Sequence, residues 1–159
     1  MAEAVETQVH PVAARLATWD SGVVTGTEIF RNELTVTIPR EQLPRVAGFL
    51  RHDPELEFDF LSDLTATDQF PSEPRFAVVY HMFSVRHRHT LRLRTWAPGV
   101  NPAVPSVTTI WPTANWHERE VFDLFGIRFE GHADLTRILL PVDWEGHPLR
   151  KDYPTEGHR

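Results

Sequence analysis

The chain has 159 residues, 41 % hydrophobic and 24 % charged, so it is most simply one globular domain, able to bury roughly 70 % of its unfolded surface. A formal net charge of −6 argues against a nucleic-acid or anionic-membrane partner, either of which would want a basic face. The absence of cysteine excludes disulfides, Cys-ligated zinc and Cys-ligated iron–sulfur clusters.

Residues 5–18 carry Val9, Val12, Ala13, Leu16 and Ala17 as an apolar stripe at helical spacing, and Pro11 suits a first turn, which points to a start near His10. Alternation over 23–38 predicts one or two strands with Leu34, Val36 and Ile38 on one face, ended by Pro39. A second helix is predicted over 41–51, with Leu43, Val46, Ala47 and Leu50 inward. Residues 58–67 read as a strand burying Phe58, Phe60 and Leu64, followed by a loop through Pro71 and Pro74. Residues 76–83 and 91–96 form the clearest hairpin, and the two apolar faces of its first strand predict an interior place in the sheet. A proline-rich connection (Pro98, Pro102, Pro105) leads to an extended stretch at 106–111.

The third helix is predicted at 116–125. Asn115 would be its N-cap, Glu118 would close a capping box, and Gly126 would end it in the left-handed conformation. Val121, Phe122, Leu124 and Phe125 gather on one arc, opposite Arg119, Glu120 and Asp123, with Arg119 and Asp123 spaced for pairing. Glu118 projects among the phenylalanines, so a second reading makes it a buried carboxylate neutralised by an arginine of the tail or of a partner. Beyond Gly126 neither helical nor strand periodicity holds, and Pro141, Gly146, Pro148 and Pro154 keep the chain extended or turned. Too apolar for a disordered tail, it reads as an arm laid on its own body or on another subunit. The expected architecture is α+β: a two-layer domain over 1–125, a mixed sheet with helices on one face, then an extended partner-binding arm over 126–159.

Few residues invite a catalytic reading. His117-Glu118 begins an H-E-x-x-H zinc motif, but Val121 stands where the second histidine belongs. His87 and His89 are a weak metal pair that, with a carboxylate, would suit a free-standing metal-dependent hydrolase. Arg86, Arg88, Arg92 and Arg94 surround them, either as a solvated hairpin tip or as a docking surface for an acidic neighbour. Glu118, Glu120 and Asp123 are expected to pair with Arg119, Arg137, Arg150 or Lys151 rather than to move protons, and no G-x-G-x-x-G or P-loop suggests a nucleotide site. No apolar run approaches the length of a membrane span, and MAEAVETQVH lacks a signal-peptide pattern, so membrane contact is expected only through partners.

The run HEREVFDLFGIRFEGH, then RILLP and DWEGHPLRKDYP, closely resembles the signature of the thirty-kilodalton subunit of the NADH-quinone oxidoreductases of respiratory complex I. The core of the resemblance is Glu118, Arg119, Glu120, Asp123 and Gly126, with Gly146 to Pro154 at its end; before Trp116 it rests on length and element order. It implies a non-catalytic subunit in the peripheral arm of a proton-translocating complex, on the cytoplasmic side of a bacterial inner membrane. By the same resemblance FMN, iron–sulfur clusters and quinone belong to other subunits, with no cofactor on this chain. Its chief partner would be the quinone-site subunit, touched through Glu118, Arg119, Glu120, Asp123, Arg137, Trp144, Leu149, Arg150, Lys151, Asp152 and Tyr153. A near alternative is the equivalent subunit of a membrane-bound hydrogenase or ferredoxin-dependent complex.

Overall fold

The computed structural model describes residues 10–156, so the predicted helical residues 5–9 lie outside it. Helix α1 (Pro11–Trp19) begins at His10, whose ring accepts from the Val12 amide, and it buries Val12 and Leu16. Strands β1 (Gly26–Phe30) and β2 (Glu33–Thr37) pair antiparallel. Their turn residues Arg31 and Asn32 have φ of 50° and 66°, the sign that a tight hairpin matching the strand twist demands at both positions. A short 3₁₀ turn (Arg40–Gln42) leads into α2 (Leu43–His52), which buries Leu43, Val46, Ala47 and Leu50, the face that the spacing predicts.

Strands β3 (Phe60–Asp68), β4 (Phe76–Ser84) and β5 (His89–Ala97) complete a five-stranded sheet in the order β1-β2-β5-β4-β3. Only β2 and β5 run parallel, so the sheet is mixed, and β4 is interior as expected. Phe58 and Leu64 are buried, but Phe60 is half exposed, contrary to expectation. A bulge between Leu61 and Asp63 shifts the phase of β3, so Leu61 and Leu64 face the core. One apolar cluster joins Val36, Tyr80, Met82 and Leu93 of the sheet to buried residues of all three helices, giving an α+β fold with its core on one sheet face.

Residues 106–111 do not continue as an extended stretch. The strand is β6 (Ala103–Pro105), and it pairs in parallel with β7 (Arg128–Glu130) in a separate two-stranded sheet. After it the chain turns, with Ile110 and Trp111 both donating to the Val107 carbonyl. The Trp111 indole is buried and donates to the Phe58 carbonyl at 2.9 Å. Because Ile127 and Phe129 join the core, residues 126–130 belong to the globular body rather than to an arm.

Helix α3 (Ala114–Phe125) starts two residues earlier than predicted, after Thr113, and no side chain caps it. The preceding turn already supplies acceptors, Trp111 O for the Ala114 amide and Pro112 O for the Asn115 amide. Asn115 is therefore inside the helix, and Glu118 is not part of a capping box. Gly126 ends the helix with φ of 72°, as predicted.

Candidate interaction site at the end of the third helix

The last four carbonyls of a helix have no partner within it. In α3 all four are satisfied. Phe122 O accepts from the Gly126 amide at 2.8 Å. Asp123 O accepts from Arg137 Nη1 at 3.2 Å and contacts His147 Nδ1 at 2.9 Å. Leu124 O accepts from the Leu149 amide at 3.0 Å, and Phe125 O accepts from Arg150 Nε. The tail thus caps the helix, and it brings the cations Arg137 and Arg150 to the negative end of the helix dipole.

The Asp123 side chain, buried, holds the tail from the other side. One oxygen takes Arg137 Nη1 at 2.7 Å, and the other accepts from the amides of Ile138, Leu139 and Leu140 at 3.1, 2.8 and 2.9 Å. Burial alone would raise its pKa, but Arg137 and the three amides outweigh that and hold the carboxyl below its usual range. Arg137 also donates to Trp144 O and Gly146 O at 2.8 and 3.0 Å. Arg119 donates to the carbonyls of Thr136 and Arg137 instead of pairing with Asp123. Glu120 stays exposed and takes no part in these bonds.

A second anchor lies farther along. Arg75 pairs with both oxygens of Asp68 at 2.8 Å, and it reaches both oxygens of Asp152 at 2.7 and 3.1 Å. The Lys151 amide donates to Asp68 Oδ2 at 2.8 Å. These donors, Arg75 foremost, pull the Asp68 pKa far down. Arg150 and Arg75 both lie over the Phe76 ring, with centroid distances of 5.3 and 4.9 Å. Arg150 and Asp152, expected in charge pairs with another subunit, are thus already engaged within the chain. Sequence reasoning missed Asp68, Arg75 and His147 as the holders of the tail. Only His147, inside the Gly146–Pro154 motif, carried a signal.

Glu118 is buried and takes no arginine. Its carboxylate accepts from the Val107 amide at 2.8 Å and the Ser106 hydroxyl at 2.7 Å, tying α3 to the chain that leaves β6. Burial raises its pKa to about 7 against those two donors. The buried His132 ring comes within 4.0 Å of it. That ring accepts from the Asp134 amide through Nδ1, which leaves Nε2 protonated toward Asn115 O. With no exposed surface, Glu118 and Asp123 act inside the body and have no face to offer another subunit.

The basic hairpin is largely neutralised. Arg86 pairs with Glu57 at 2.9 Å, Arg94 with Glu28 at 3.7 Å, and Arg92 with Glu33. His87 Nε2 points at Pro54 O and His89 Nε2 at Leu56 O, so each ring donates from that nitrogen to the backbone. Among the described residues no three His, Cys, Asp or Glu side chains group to hold a metal.

Among the charged residues that the tail exposes (Asp143, Glu145 and Lys151 among them) stand several large apolar side chains. Leu139, Val142, Trp144 and Leu149 point outward from the anchored tail, and Trp116 stands exposed on α3. Tyr153 is half-buried, with its hydroxyl 3.5 Å from Glu145 O.

The fold resembles that of the trypsin-resistant fragment of Nqo5, at TM-score 0.65 and 34 % identity over 77 % of this chain and 96 % of that one. It also resembles a chain of the membrane-bound sulfane sulfur reductase, an archaeal respiratory membrane complex, at TM-score 0.74 and 26 % identity, covering 91 % and 84 %. The fold thus classes the chain with Nqo5 and with a chain of that respiratory membrane complex. Two curated relatives, the NADH-quinone oxidoreductase C subunits of Roseiflexus castenholzii and of Roseiflexus sp. strain RS-1, are 51 % and 53 % identical over 90 % and 82 % of this chain and 82 % and 75 % of theirs. The profile of the family described as respiratory-chain NADH dehydrogenase, 30 Kd subunit, matches residues 36–159, and the chain belongs to that family. No helix among the described residues is long and apolar enough to cross a membrane.

Proposed function

We propose that the chain is a non-catalytic structural subunit in the peripheral arm of a proton-translocating NADH-quinone oxidoreductase, where it braces the quinone-site subunit during electron transfer from NADH to quinone. FMN, iron–sulfur clusters and quinone sit on its neighbours, and the assembly lies against the cytoplasmic face of a bacterial inner membrane. The observation that carries this reading is the tail. Its backbone is fixed by Asp123, Arg137 and Arg75, yet Val142 is 93 % exposed, and Trp144 and Leu149 are 41 % and 51 % exposed. Exposed apolar side chains on a backbone held in one shape suit a docking surface, because the ordering cost of binding is already met within the free chain.

The test is assembly. Val142→Asp combined with Trp144→Ala should leave the fold of the isolated chain intact and lower recovery of the peripheral arm and of quinone reductase activity in purified membranes. Full recovery of both would refute the bracing role.

The likeness to the archaeal sulfane sulfur reductase chain supports a second reading, an equivalent place in a respiratory membrane complex of another kind, of which a membrane-bound hydrogenase or ferredoxin-dependent complex would be examples. Oxidation of NADH by the co-purified assembly separates the two.

A further inference from the structure

The two edges of the main sheet are unlike. At β3, helix α3 packs along the strand, His117 comes within 3.6 Å of Asp63, and the bulge at Leu61/Asp63 disrupts the edge. At β1 no described strand or helix continues the sheet, and Thr27, Glu28, Ile29 and Phe30 are all exposed. Ile29 and Phe30 are 54 % and 59 % exposed. The strand contains no lysine, proline or bulge, the usual means of keeping an edge from pairing.

The register gives each face of this edge its chemistry. Ile29 and Thr27 lie opposite Leu34 and Val36, which belong to the core, so they extend the helix-covered face. Glu28 and Phe30 lie opposite Thr35 and Glu33, on the open face, where Arg94 approaches Glu28 only to 3.7 Å. An incoming strand therefore meets an apolar side chain on one face and, on the other, a solvent-exposed carboxylate that Arg94 holds only at 3.7 Å.

We infer that the outer edge of β1 accepts an extended segment of a partner polypeptide, with an apolar residue beside Ile29 and an arginine or lysine opposite Glu28. A second copy of this chain fits worse. Two-fold self-pairing over all five residues centres on Glu28 and sets that carboxylate against its own image, a destabilising like-charge contact. The inference rests on the chain working as a subunit, and it adds an interface on the opposite edge of the sheet from the strand along which α3 packs.

Hydrogen exchange followed by mass spectrometry, on the full-length chain alone and in the purified membrane complex, tests it. Those amides of residues 26–30 that do not already bond β2, and on which alone the outcomes below are read, should exchange at least tenfold more slowly in the complex. Glu28→Lys should bring them back toward the rate of the free chain, while residues 137–152 keep their protection. Equal exchange of 26–30 in both samples overturns the inference and leaves the bracing role standing if 137–152 are protected; loss of both protections sinks both. Slow exchange already present in the free chain also overturns it. In that case loss of protection on removing residues 1–9 identifies an internal occupant, and a dimer in sedimentation that Ile29→Lys disperses identifies a second copy.

Discussion

Arg137 and Asp123 form a 2.7 Å ion pair that fixes both ends of one loop, since the same guanidinium holds the carbonyls of Trp144 and Gly146 while the same carboxylate holds the amides of residues 138–140. Asp123→Ala leaves Arg137 without its counter-ion and three amides without their acceptor, and Arg137→Ala leaves a buried carboxylate without its cation. Either should cost about 3–5 kcal/mol. Urea unfolding measures that loss, and limited proteolysis should show new cleavage within 138–146. A loss below about 1 kcal/mol with no new cleavage would mean that the pair is not what holds the loop.

The second anchor should divide unequally. Asp68 and Arg75 are buried, whereas the Asp152 side chain is 45 % exposed. Asp152→Ala should therefore cost about 1 kcal/mol or less, and Asp68→Ala about 3 kcal/mol or more. Because the folded Asp68 has a depressed pKa, its contribution is complete above the unfolded carboxylate range and fades as pH falls toward the folded value. Acid unfolding of Asp68→Ala should consequently be shallower than that of the native chain. Equal acid slopes would remove Asp68 from this role.

Glu118 runs the other way. Its pKa rises from 4.5 to about 7 on folding, so its contribution is complete below about pH 4.5 and is lost as pH rises through about 7. At about 1.4 kcal/mol per unit, the full swing is about 3–4 kcal/mol. Glu118→Gln can still accept from Val107 and meet Ser106, but it cannot titrate. Burial lowers the pKa of His89 and His147, which gives an opposing trend shared by both proteins. The difference in urea midpoint between native and variant should shift toward the variant from pH 5 to pH 8. A constant difference would show that Glu118 does not titrate in that window.

Gly126 sets the direction of the tail. At φ of 72° an added Cβ would lie 2.5 Å from the His147 ring and 2.7 Å from Arg150. Gly126→Ala should cost about 2 kcal/mol or more, since left-handed backbone alone costs about 1–2 kcal/mol for an L residue. Thermal melts would register it, and exchange of the Leu149 amide should quicken. An unchanged melt would mean that the tail is seated elsewhere.

Much of this architecture was legible because it is periodic. The inward face of α2, the β4–β5 hairpin and the glycine stop of α3 each follow from spacing within a dozen residues. What escaped was either short or distant. Strands β6 and β7 have three residues each, too few for alternation to register. The start of α3 was misplaced because backbone acceptors at Trp111 and Pro112 replaced the side-chain cap that Asn115 advertises. Asp152 finds Arg75 across 77 positions and Lys151 finds Asp68 across 83, separations that leave no local trace. The charged motif was readable as important, and the pairing of Asp123 with Arg137 is among those its composition suggests, but its bonds to Asp68 and Arg75 were not readable.

Every terminal carbonyl of α3 is answered by Gly126 or by a group between Arg137 and Arg150. The final helical turn and the distal segment therefore stand or fray together. Damage near residue 147 should be felt by the helix some twenty residues upstream, and a chain cut short there would lose the Leu149 amide and Arg150 that close the last coil.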